Sequence, residues 1–204
     1  MTEPTDTRTA VLAAARKLFA EQGFDATSTR AITTAAGANL GAIPYHFGSK
    51  NALYEAVLES VAGPLIARVR AADADAESPL GAIEAIVRAV AGYLAEHPEV
   101  PSLMLRELAL DRPAPAPQRR AMQAILGLVA ERVRAGQHDG SIVAGDPVLL
   151  TFSVVAQPMY WSLVRRRLDA VFKLNSDDPK VRGTVLNHLV RFTRRGLSTE
   201  RVPA

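Results

Sequence analysis

Apolar positions recur at helical spacing along almost the whole chain, and no stretch alternates apolar and polar residues long enough to make a strand. Val11, Leu12, Ala15, Leu18 and Phe19 put one apolar stripe on a helix of about 6–22. Two short helices follow, about 29–36 and 40–47, then a long one of about 50–72 in which Gly63-Pro64 predicts a bend. Ser78-Pro79 supplies a cap and a first helical position for a fifth helix ending near 96. His97-Pro98 starts a sixth through about 110, and Pro113, Pro115 and Pro117 make a loop. A seventh spans about 118–135. Asp146-Pro147 opens an eighth to about 172, and after a turn at 175–179 a ninth runs to about 197. The expected fold is all-α, with about nine helices and no internal repeat.

The stretch richest in chemistry is residues 27–54, TSTRAITTAAGANLGAIPYHFGSKNALY. Two short helices, a Gly-containing turn and the start of a third helix are the layout of a helix-turn-helix DNA reader. Thr27 and Ser28 can accept hydrogen bonds from free backbone N–H groups, so either can cap the first of these helices. Ile32, Ala35 and Ala36 are expected to face inward, and Gly37 to end the helix in the left-handed conformation. Asn39 is the expected cap of the second helix. Ile43 and Phe47, four residues apart, point back into the core. Gly41, Ala42, Tyr45 and His46 are then left outward, and small residues early in the helix let its backbone approach a groove. Gly48 closes it, Ser49 caps the next helix, and Lys50 falls in that helix's first turn. A cation there opposes the helix dipole, and a phosphate contact would account for it.

The DNA-facing set expected from this stretch is Thr27, Thr29, Arg30, Asn39, Leu40, Gly41, Ala42, Pro44, Tyr45, His46 and Lys50, with double-stranded DNA as the partner. Pro44 removes an intrahelical hydrogen bond and crowds the Leu40 carbonyl, so the helix must begin late enough to keep it in the first turn. Its ring can pack against a thymine methyl. Tyr45 and His46 have a plainer reading as a surface aromatic and a helix-terminal His, and Arg30 and Lys50 as solvated charges.

With these residues in view, roughly the first 60 residues resemble the tetracycline-repressor (TetR) family of transcriptional regulators. AARKLFAEQGFDATSTRAI (14–32) and AAGANLGAIPYHFGSKNALY (35–54) carry the likeness, through Phe19, Gly23-Phe24, Thr27, Ile32, Ala36-Gly37, Tyr45-His46-Phe47, Lys50 and Leu53. Members of that family often have an aromatic residue or Asn where Pro44 stands here. The resemblance implies a homodimeric repressor on a palindromic operator, controlled by a small-molecule effector. Residues 1–54 would be the helix-turn-helix DNA-binding domain and 55–204 a helical ligand-binding and dimerisation domain. YHFGSK together with LMLREL (103–108) is similar to the subgroup typified by the enterobacterial regulator of cefoperazone and chloramphenicol sensitivity.

Composition narrows the remaining classes. The chain has 204 residues, 48% hydrophobic and 22% charged, enough for one large domain or two small ones. It has no Cys, so disulfide and thiolate chemistry are excluded. There is no unbroken apolar run of about 18 residues, so no membrane span is expected. The polar N-terminus MTEPTDTRTA is unlike a signal peptide, and the expected location is the cytoplasm. The net charge of +3 is modest, and its positive excess lies in residues 165–204 rather than in the reader. That argues against a charge-driven DNA coat, while a specific reader also holds phosphates with backbone N–H groups and hydroxyls.

No Gly-rich phosphate loop, GxSxG elbow or HExxH motif is present. His46, His97, His138 and His188 have no metal-ligand spacing, so no catalytic residue, metal or cofactor is expected. The eighth helix gathers Phe152, Gln157, Pro158, Met159, Tyr160 and Trp161, and a mid-helix Pro with Met and aromatics suits an adaptable apolar cavity. The candidate ligand-binding residues are Met104, Phe152, Gln157, Tyr160 and Trp161, for an apolar or aromatic effector; core packing is the competing reading for each. Arg106 and Glu107 are further wall candidates, with a surface pair the favoured reading, and Arg165-Arg166-Arg167 is expected to be a solvated helix face, with a dimer edge as the second reading. Leu149, Leu150, Val154 and Val155, with Val185, Leu186, Leu189, Val190 and Phe192, offer more apolar surface than one short helix covers, so a four-helix interface between two copies is expected. Two other classes stay open: a helical protein-interaction module without specific DNA binding, and a hydrolase-like helical binder of small apolar molecules. Specific, salt-dependent duplex binding separates them from a DNA reader.

Overall fold

The structure is a computed structural model and describes residues 4–108 and 113–200. Among the described residues there are nine α-helices: α1 Pro4–Gln22, α2 Thr29–Ala35, α3 Ala42–Phe47, α4 Lys50–Ala74, α5 Pro79–Glu96, α6 Val100–Leu108, α7 Ala116–His138, α8 Pro147–Phe172 and α9 Pro179–Leu197. One isolated antiparallel bridge joins Ile142 and Ser198. The protein is all-α, as the periodicity indicates. The end of α6 expected near 110, and the side chain of Glu107, lie outside the described residues.

Capping chemistry sets several boundaries. α5, α8 and α9 begin alike, with a capping side chain followed by Pro, which has no N–H to leave unpaired in the first turn. Ser78 Oγ accepts from Gly81 N at 3.1 Å, Asp146 Oδ1 from Val148 N at 2.7 Å, and Asp178 Oδ1 from Lys180 N at 2.7 Å. α7 starts at Ala116, earlier than expected, because Pro117 is acceptable in its first turn. α6 starts at Val100 rather than at Pro98. Pro64 and Pro158 lie inside α4 and α8 without ending them.

The chain forms two compact units, Met1–Gly63 with Glu99–Arg120, and Pro64–Pro98 with Ala121–Ala204. α4 passes from the first to the second at Gly63-Pro64. In the first unit α1 packs on α2, α3 and α6. Val11, Ala15, Phe19, Ile32, Ile43, Leu53, Val57 and Leu103 close the core between them. Phe19 meets Tyr54 edge-on with ring centroids 5.0 Å apart, and Phe24 covers both. Arg106 Nη2 donates to the Glu21 carbonyl at 2.8 Å, which satisfies an orphan acceptor at the end of α1. That guanidinium is exposed and committed to α1, which favours the surface reading of Arg106 over the pocket-wall one.

In the second unit α5 packs against α8 and α9, with Ile83, Ile86 and Leu94 fully buried. Arg132 grips Asp73 through two hydrogen bonds of 2.6 and 2.8 Å, and Arg68 grips Glu96 at 2.7 and 3.0 Å. Val154, Leu189 and Val190 are buried within their own chain, so they drop out of the expected dimer surface. Leu149 and Phe192 stay exposed. α8 is long and apolar enough, by length and composition, to cross a bilayer, although it holds no unbroken apolar run.

Candidate nucleic-acid interface

Ser28 Oγ accepts from Ala31 N at 3.0 Å and starts α2. Gly37, at φ 62°, turns the chain, and Ala38 N donates back to the Thr33 carbonyl at 2.9 Å. A non-Gly residue is strained at such an angle. The turn runs on through Gly41, the N-cap of α3, which has no side chain to make a capping bond. Asn39 is therefore not the side-chain cap; only its carbonyl takes part, accepting from Ala42 N at 3.1 Å. The late start places Pro44 third in α3, where its missing N–H breaks no helical bond. Gly48, at φ 80°, ends α3, and Ser49 Oγ accepts from Ala52 N at 3.1 Å to open α4.

The outward surface of this segment is made by Leu40, Gly41, Pro44 and Tyr45, all exposed, with His46 half-buried beside them. Tyr45 is 80% exposed, an aromatic ring held out in solvent by a helix whose Ile43 is fully buried. His46 lies edge-on to it, centroids 4.8 Å apart. Such a surface offers a hydroxyl, an imidazole and apolar edges to base edges or phosphates. Arg30 and Asn39 are exposed and Thr29 is half-buried.

Two members of the expected set face the wrong way. Thr27 is fully buried, and its hydroxyl donates to the Gly23 carbonyl at 2.6 Å; it fastens the turn between α1 and α2. Ala42 is buried because the first residues of α3 pack on the core, with Ile43 beside it. Ala35, expected inside, is exposed. Lys50 is half-buried with Nζ 4.3 Å from the centre of the Phe24 ring, a cation–π contact that holds the ammonium at the end of the reader. Similarly, the Arg8 guanidinium lies 5.0 Å over the Phe47 ring.

The expected ligand residues lie on α6 and α8. Met104 belongs to the first unit, where its carbonyl accepts from Gln118 Nε2 at 3.3 Å. Phe152 and Tyr160 are 67% and 66% exposed on the outer face of α8. Gln157 Nε2 is turned back onto the Ser153 carbonyl at 3.0 Å. Trp161 alone of the five lines the cavity of about 190 Å³ formed by α5, α8 and α9. Arg165, taken from sequence as solvated, is also on that wall and is buried; Arg166 and Arg167 are exposed. The signal lay in the spacing of Val154, Pro158, Trp161 and Arg165, which share one helix face. Arg165 donates to Ser176 Oγ at 3.0 Å and Asp177 Oδ1 at 2.6 Å. The hydrogen bond from Arg165 holds the Asp177 carboxyl below the usual carboxylate range. Among the described residues no group of three or more His, Cys, Asp and Glu is placed to hold a metal ion.

A two-helix turn over a small core, with α3 presenting an open aromatic surface, defines a helix-turn-helix DNA-binding protein. Residues 11–57 match the family described as bacterial regulatory proteins, tetR family. The chain is 26% identical over 198 residues to the HTH-type transcriptional repressor NicS of Pseudomonas putida, spanning 94% of this chain and 92% of that protein. It is 30% identical over 141 residues to the HTH-type transcriptional regulator UidR of Escherichia coli, spanning 69% and 71%. The ketosteroid transcriptional regulator KstR2 of Mycobacterium tuberculosis shares the fold, with a TM-score of 0.78 at 19% identity over 95% of each chain. The chain belongs to the TetR family and is a DNA-binding transcriptional regulator.

Proposed function

We propose that this regulator is a homodimeric repressor that binds a palindromic operator and leaves it when a small molecule binds. Residues 1–54 read the DNA, and 55–204 hold the effector and the partner copy. The observation that carries the reading is α3 and the turn before it: Leu40, Gly41, Pro44 and Tyr45 are exposed, while Ala42 and Ile43 are buried. Tyr45 and His46 meet base edges or adjacent phosphates; Thr29, Arg30, Asn39 and Lys50 supply positioning contacts. The likeness of YHFGSK and LMLREL to the cefoperazone and chloramphenicol subgroup supports placing the regulator there.

The second copy is assigned to the outer faces of α8 and α9. Val148, Phe152 and Tyr160 repeat at helical spacing and are 65%, 67% and 66% exposed; Leu149 and Phe192 add to them. That exposed set accounts for the apolar composition of α8 without a membrane, and the protein works in the cytoplasm beside its DNA. No catalytic role or cofactor is assigned. The effector acts only if it binds the non-DNA conformation more tightly, since equal affinity for both would shift nothing. α4, shared by both units, is the element through which its effect passes.

Selection of bound fragments from a random duplex library by the pure protein tests this reading. An inverted repeat should be enriched, with half-sites about 34 Å apart or a multiple of that. Recovery of unrelated sequences, or of a single half-site with full affinity, would remove it.

A further inference from the structure

We infer that the cavity among α5, α8 and α9 binds a small single-ring aromatic carboxylate, with Trp161 against the ring and Arg165 on the carboxylate. The size comes first. At about 190 Å³ the space is well below the roughly 300–1,000 Å³ of drug-sized sites, and slightly above an apolar cavity of about 150 Å³ that holds benzene. One ring with one small substituent fits. Leu186 and Leu189 of α9 supply apolar wall.

The charge comes next. The Arg165 side chain is nine-tenths buried. Its Nη1 is used by Ser176 and Asp177, which is all that fastening the α8–α9 turn requires. Nη2 and Nε have no hydrogen-bond partner among the described residues, yet neither is a sealed, unsatisfied atom, so both keep contact with open space. Those two nitrogens form one edge of the planar guanidinium, the edge that takes a carboxylate through two parallel hydrogen bonds. Arg182 adds a second cation to the lining. The one carboxylate on the wall, Glu96, is already held by both Arg68 nitrogens and kept below the usual carboxylate range by them. Arg165 is itself paired with Asp177, which the exposed Arg182 also approaches, so the wall offers the unused edge of the Arg165 guanidinium rather than a net charge.

Gly183 is the third observation. Glycine is unfavourable inside a helix, and here nothing stands within 4 Å of where its Cβ would lie. It lines this cavity, so the missing side chain keeps the space open.

The test is a titration of the full chain with benzoate and with its neutral analogue benzamide, followed by calorimetry and by the fluorescence of Trp161, the one tryptophan in the chain. Benzoate should bind saturably, and benzamide about tenfold or more weakly, the margin of a charge-assisted pair. Arg165→Gln should bring benzoate down to the benzamide level. Because that change also releases Ser176 and Asp177, Gly183→Leu is the second variant: it should melt like the parent and lose benzoate. Equal affinity for the two probes, no benzoate binding at millimolar concentration, or benzoate binding untouched by Gly183→Leu would each overturn the site. Its use as the effector site rests on the repressor reading, which is followed separately by binding of the selected duplex. Benzoate binding without any DNA binding keeps the site and removes the repressor; DNA binding without benzoate binding does the reverse.

Discussion

Tyr45→Ala separates a DNA contact from a structural role. The side chain is 80% exposed and its nearest ring neighbour is His46, so little packing is lost when it is cut back. Folding stability should change by less than about 0.5 kcal/mol, the range of surface substitutions. If the hydroxyl donates to a phosphate oxygen, the bond is a charge-assisted one worth about 1.5–3 kcal/mol. That is roughly 10- to 150-fold in affinity for one half-site, and the free-energy loss doubles in a dimer that engages two. Fluorescence anisotropy with the selected duplex measures the affinity, and urea unfolding measures the stability. Tyr45→Phe should reproduce most of the loss if the hydroxyl carries it, and little if the ring face does. Unchanged affinity in Tyr45→Ala would refute the placement of α3 on DNA; a large fall in stability would mean that the ring packs in a way its exposure contradicts.

Three further outcomes are expected. Lys50→Ala should weaken binding to all sequences and lower the slope of log affinity against log salt by about one phosphate's worth; an unchanged slope would return Lys50 to its cation–π contact with Phe24. Phe19→Ala should lower stability by about 3–5 kcal/mol, because the ring is fully buried between Phe24 and Tyr54, and chemical denaturation checks this. The carboxyls of Asp177 and Glu96 are both depressed, chiefly by hydrogen bonds from Arg165 and Arg68, so their contribution is present above the unfolded values of about 3.9 and 4.3 and lost as pH falls through the lower folded ones. Melting temperature should therefore hold above about pH 5 and drop below about pH 4, with a shallower drop in Asp177→Asn.

Much of the fold was legible because its helix starts are chemically marked. Ser78-Pro79 and Asp146-Pro147 each put a capping oxygen one residue before a ring that cannot donate, and both helices begin there. α3 was harder. Asn39 has the right chemistry for a cap, but a helix starting there would carry Pro44 past its first turn; the structure resolves the conflict by starting at Ala42. Thr27 could not be assigned from its type, since the same hydroxyl can reach a phosphate or the Gly23 carbonyl, and only the fold of the turn decides. The outward Tyr45 was legible because Ile43, buried, and Phe47, half-buried against the core, fix the inward face. The cavity was not. A run of three arginines hid the fact that Arg165 alone continues the buried face of α8. Aromatic type made Phe152 and Tyr160 look like pocket walls, although both are exposed, Phe152 on the face with Val148 and Tyr160 about a third of a turn round from it.

The central claim is that two copies of α3 enter successive major grooves on one face of the operator. A hydroxyl-radical footprint of the selected duplex, with the full chain bound, tests it most directly. The expected record is two equivalent protected patches, related by a two-fold axis and separated by about one helical turn or a multiple of it, both lost in Tyr45→Ala at the same protein concentration. A single patch, uniform protection along the duplex, or a footprint that survives Tyr45→Ala unchanged would contradict the account.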